Sequence, residues 1–271
     1  MTATHEPLFA MGVGPDGRPF LVHATAAPEY GAGALEGLLV GLCLRPDGSV
    51  GADTPALVGV AAALVASLME RGMFRADDVA ERYRGWPAPP AAEAPLRVVP
   101  IALFYAGQPD ELRAGVLGEA ALTGAAPRAT LAAAAVAAAV SAGTFDLAKA
   151  YDMAVAAVQG LDAAAVQLGD EVAALAVRDD LRRAVAATTV DGLGDADVLG
   201  AATRRAFWHL LHSDDFAVAL VEVAAHSEPI ATALTGVLLG ACLGAEAIPA
   251  PWRDAVAARV APLTALLAVD A

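Results

Sequence analysis

Cysteine is nearly absent. Cys43 and Cys242 are the only two in 271 residues, too few for a disulfide framework or a zinc site, and a scarcity that suits a reducing cytosol. Basic residues are scarce as well. Seventeen Lys and Arg stand against 31 Asp and Glu, for a net charge of −14 and a pI near 4.6. A nucleic-acid binder needs a basic face that displaces counterions, so that class is excluded. An anionic membrane surface would repel the chain too. Long apolar runs are also missing. The longest uncharged stretches, 129–145 and 229–245, have 17 residues each, short of the roughly 20 that span a bilayer, and the first is mostly Ala, a weak inserter. The opening MTATHEPLFAMG lacks a basic segment followed by an apolar one, so no signal peptide is read there. A soluble cytoplasmic protein is expected, with neither nucleic acid nor membrane as partner.

What the chain has is alanine, about a quarter of all residues, within a 57% hydrophobic and only 18% charged composition. A chain this apolar cannot stay solvated and unfolded, and its length suits one large core. Ala is the best helix former, while isoleucine is almost absent and the β-branched residues are scattered. Helices are predicted at roughly 32–44, 54–71, 76–85, 96–106, 109–120, 127–142, 145–159, 161–187, 197–212, 214–225, 229–243 and 250–268. Pro55, Pro127 and Pro229 sit where first-turn prolines belong, and Gly72, Gly107, Gly143 and Gly244 follow helix ends. So much Ala and Gly over 127–142 and 229–243 implies close backbone approach in a central layer. Residues 9–24 differ: two apolar runs flank Pro15-Asp16-Gly17, a β-hairpin signal. A second such turn, Pro46-Asp47-Gly48, separates the first two long helices. The one linker-like stretch, Pro87–Pro95, is too short to divide domains. The expectation is all-α: residues 1–30 as an extension carrying the hairpin, residues 31–271 as one helical domain.

Particular segments carry more. Gly33-Ala34-Leu35-Glu36-Gly37-Leu38-Leu39-Val40-Gly41 is similar to a G-A-L-x-G-x-x-x-G-D helix. Ala52-Asp53-Thr54 and the sequence to GW resemble T-D-D-T with the helix pair behind it. Val198–Trp252 is similar to a closing region that ends in I-P-x-x-W, while LRVVPIALFYAG and ALTGAAPRA resemble M-R-x-x-P-L and L-T-H-x-x-P-x-A. In chain order, these five resemble motifs of the ADP-ribosylglycohydrolase family, and together they cover residues 31–260. The resemblance implies an orthogonal all-helical bundle and an ancestral hydrolysis of ADP-ribosyl bonds with two magnesium ions.

The chemistry departs from the family pattern. A magnesium pair needs hard oxygen ligands, chiefly carboxylates. Matched residue by residue, the first ligand triplet is Gly51, Ala52 and Asp53, and the second set falls on Ser227, Pro229 and Ile230, with Glu228 between. Leu42 stands where an aspartate is expected and Gly124 where a histidine is. The substrate-covering segment before T-D-D-T shrinks to a tight turn, Arg45–Val50, and the Gly-rich stretch before M-R-x-x-P becomes Pro87–Pro95. Loss of ligands and loops together implies a task other than ADP-ribose hydrolysis.

Ordinary roles exist for what remains: Asp53 and Thr54 as an N-cap before Pro55, Ser227 as a cap, and Glu228 in a first turn favoured by the helix dipole. The family fold would bring these two helix starts face to face, a setting for an anion or polar ligand head. Asp53, His226 and Glu228 are then the candidate acid/base group, and Asp53, Thr54 and Ser227 the candidate ligand contacts. No cofactor is expected beyond, at most, one weakly held Mg²⁺ on Asp53 and Glu228. His209 and His212 share a helical face beside Asp214 and Asp215, but the aspartates read as the start of the next helix rather than a metal cluster. Both cysteines are expected to be buried and inert, with nothing charged nearby to activate them. The preferred reading is a pseudoenzyme that binds a small molecule or a protein partner in or near the old cavity. The alternatives are a metal-independent enzyme of specialised metabolism and an active ADP-ribosyl hydrolase with relocated ligands.

Overall fold

The computed structural model describes residues 9–13, 19–23, 28–87, 90–142, 147–168, 171–194 and 196–270. Strands β1 (Phe9–Val13) and β2 (Pro19–His23) pair antiparallel, Met11 opposite Leu21. The Pro15-Asp16-Gly17 turn expected between them lies outside the described residues, as does Gly143. The rest is helical: α1 (Pro28–Cys43), α2 (Ala56–Arg71), α3 (Ala76–Tyr83), α4 (Ala94–Arg97), α5 (Val99–Phe104), α6 (Pro109–Thr123) and α7 (Pro127–Ala142), followed by α8 (Leu147–Leu168), α9 (Glu171–Ala186), α10 (Val198–His212), α11 (Phe216–His226), α12 (Pro229–Leu243) and α13 (Ala250–Val260). This is the all-α architecture that the composition predicts. Among the described residues no helix is long and apolar enough to cross a membrane.

Two helices form the central layer. Every residue of α7 from Ala129 to Val140 is buried, and so is every residue of α12 from Ala231 to Cys242. A helix apolar on all sides must be covered on all sides. Accordingly α12 packs against α1, α7, α10 and α11, and α7 against α4, α5, α6, α8 and α9. The α1–α12 contact is antiparallel and very close, because glycines recur every fourth residue on both helices. A Cβ on Gly37 would lie 2.1 Å from the Gly236 carbonyl oxygen, and one on Gly240 would lie 2.0 Å from that of Gly33. Any side chain at these positions would force the backbones apart, so the expected close approach of residues 229–243 is a property of the Gly spacing.

Buried ion pairs tie the outer helices to this layer. Arg97 on α4 and Glu119 on α6 are both fully buried and bonded at 2.7 Å. The same guanidinium also donates to Pro90 O and to Thr123 Oγ1, anchoring the Pro-rich stretch before α4. Asp180 on α9 accepts from Arg204 on α10 and Arg128 on α7, each at 2.7 Å.

Several predicted boundaries need correction, each for a backbone reason. The helix expected at 96–106 breaks at Val98, because Pro100 has no N–H to give the Leu96 carbonyl and its ring crowds that turn. The helix expected over 250–268 stops at Val260 for the same reason, with Pro262 two residues on, and the chain continues as a 3₁₀ segment over Thr264–Asp270. Gly160 was expected to separate two helices. Instead α8 runs through it to Leu168, since a single glycine weakens a helix without ending it.

Candidate functional site

The close α1–α12 pairing sets the geometry of the end where both motif-matched segments lie. A Cβ on Gly41, in the last turn of α1, would lie 2.5 Å from Ala233 Cα in the first turns of α12. The α1–α2 connection and the α11–α12 connection therefore emerge at one end of the pair. The first is the tight turn that the sequence implies. Leu44 and Val50 form an isolated bridge, Arg45 N–H donates to Ser49 O at 2.9 Å, and Gly48 takes φ +79°. Asp47 Oδ1 accepts from both the N–H and the hydroxyl of Ser49. These bonds hold the Asp47 carboxyl below the usual carboxylate range.

Residues 51–53 are then held from outside. Arg259, on α13, donates from one guanidinium nitrogen to Gly51 O at 3.0 Å and to Asp53 O at 2.8 Å, and lies 3.1 Å from Cys43 Sγ. Its other nitrogen donates to Ala255 O on its own helix. A second guanidinium flanks the segment: a Cβ on Gly51 would come within 3.3 Å of an Arg45 Nη atom. Cys43 is buried as expected, but it does have a charged neighbour, contrary to the expectation that nothing charged lies near it. Burial nevertheless dominates and pushes the thiol up, with Arg259 opposing.

The side chains expected to work together are placed at this end without meeting. Asp53 and Thr54 are exposed. Neither caps α2, which begins one residue later than the capping reading requires, with Pro55 at the N-cap position and no side-chain cap bond. His226 ends α11, exposed, its Nδ1 at 2.9 Å from Glu222 O, one turn back on the same helix. Ser227 is the C-cap of α11 rather than the N-cap of α12. Glu228 takes the N-cap position instead, exposed and with no side-chain cap bond. Among the described residues, no hydrogen bond or ion pair joins Asp53, His226 and Glu228. The aspartates after α10 behave as read: Asp215 caps α11 through Val218 N–H at 2.9 Å. His212 stacks on Trp208, and His209 is buried inside α10.

The residues present do not fit a magnesium pair. Gly51, Ala52, Pro229 and Ile230 have no side-chain oxygen. Two guanidinium groups flank the segment from which the first ligands would project, and positive charge there opposes a divalent cation. Among the described residues, no group of three or more His, Cys, Asp or Glu converges as a metal would need.

A pocket does exist, in another part of the molecule. It has a volume of about 500 Å³ and lies between α6 and α8 over α7, with Arg113 and Lys149 among its lining residues. The motif comparison gave no hint of it, nor of Arg259. The available sequence signal was composition: Lys149 is the only lysine in the chain.

The family model for ADP-ribosylglycohydrolase matches residues 20–270, and the chain belongs to the ADP-ribosylglycohydrolase family. No curated protein matches it.

Proposed function

We propose that this member of the ADP-ribosylglycohydrolase family does not cleave ADP-ribosyl bonds and acts as a binding protein, with a small molecule or a protein as its partner. The observation that carries the reading is the state of the 51–53 segment. Its single carboxylate, Asp53, points from a loop whose carbonyls are engaged by Arg259, and neither His226 nor Glu228 bonds to it. Hydrolysis of this class requires an activated water and a positioned substrate. Gly51, Ala52, Ser227, Pro229 and Ile230 supply no metal-activated water, and the six-residue turn Arg45–Val50 offers little surface to cover a substrate.

The test is direct. Peptides carrying ADP-ribose on arginine or on serine are incubated with the protein in millimolar Mg²⁺, and free ADP-ribose is measured. Release at the rate of the protein-free control is expected. Mg²⁺-dependent release that disappears in Asp53→Ala would overturn the proposal. The same experiment with Mn²⁺ addresses a relocated ligand set, because any surviving binuclear site would accept it.

A further inference from the structure

We draw no further inference here: the strongest candidate, the cavity of about 500 Å³ between α6 and α8 over α7, adjoins at Ala142 the connection 143–146 that lies outside the described residues, and nothing in the structure shows what fills it.

Discussion

Mild acid should loosen this protein through one buried ring. His209 on α10 is fully buried, its Nδ1 at 2.9 Å from Ser213 Oγ, and its Nε2 has no hydrogen-bond partner among the described residues. Burial, with smaller contributions from the charges of Arg205 and His212, lowers its pKa from 6.5 to about 4. Above pH 6.5 the ring is neutral in both states and stability does not depend on it. As pH falls through 6.5, the unfolded chain takes up a proton that the folded chain refuses until about pH 4, so stability drops across that window and then levels off. At about 1.4 kcal/mol per unit, the full effect is roughly 3 kcal/mol. Between pH 7.0 and 5.5, a range that stays above the pI near 4.6, the same linkage removes about 1 kcal/mol. The assay is urea unfolding, followed by circular dichroism, of the parent and of His209→Leu at both pH values. Leucine fills similar space and removes the unpartnered nitrogen along with the Ser213 bond, so at pH 7.0 the two proteins should differ by less than about 1 kcal/mol. The parent should then lose about 1 kcal/mol more than the variant on acidification. Other histidines and the carboxyls raised by burial, such as Glu119, contribute equally to both proteins and cancel. An equal loss in parent and variant would mean that the folded ring accepts a proton, and the burial argument would fail.

Gly37→Ala puts a methyl group 2.1 Å from a backbone carbonyl that no rotamer change can move; urea unfolding should show a loss of about 3 kcal/mol, the upper end for overpacking, and a loss below about 1 kcal/mol would mean that α1 and α12 slide apart easily. Glu119→Ala leaves the buried Arg97 guanidinium without its countercharge and should cost about 3–5 kcal/mol, whereas the double variant Arg97→Met, Glu119→Leu should recover most of that loss. Gly160→Ala should raise stability by about 1 kcal/mol, since the added methyl group improves helix propensity and meets no neighbour. Millimolar Mg²⁺ should leave the melting temperature where an equal ionic strength of Na⁺ leaves it; a dose-dependent rise would reveal a bound cation by mass action.

How much of this was legible in the sequence depends on the range of the interaction. Helix existence was read from Ala content and from Pro and Gly punctuation, both local, and the all-α class followed. Close approach in the central layer followed from Ala and Gly content over 127–142 and 229–243, whereas the recurrence of glycine at 33, 37 and 41 and at 236 and 240, which fixes the face where α1 meets α12, emerges only from the structure. Errors came from reading punctuation as absolute. Gly160 invites a break in the pattern, yet nothing around it interrupts the helix, whereas Pro100 and Pro262 each remove a bond four residues back and do interrupt one. Capping was misread for a similar reason. Asp53 and Ser227 are good cap residues, but Pro55 and Glu228 hold the N-cap positions, so residue preference gave way to where the backbone turns.

The candidate site was harder because its determinants are not local. Motif matching placed residues 51–54 and 226–230 at one end of the bundle, and the antiparallel α1–α12 pairing does bring the two connections there. It could not show that Arg259, 206 residues from Asp53, reaches back to hold the Asp53 carbonyl. Without it, a lone carboxylate beside a histidine and a glutamate reads as a reduced catalytic group; with it, the segment reads as a clamped loop whose peptide oxygens are already engaged. The pocket between α6 and α8 was hidden for the opposite reason. The residues that line it, from Leu112 and Val116 on α6 to Ala134 on α7 and Met153 on α8, are ordinary for apolar helices, and the space appears only when three helices are laid together. What the sequence did offer was an imbalance: a single lysine in a chain of 16 arginines. Composition cannot say where such a residue falls; the fold places it on α8, among the residues that line the pocket.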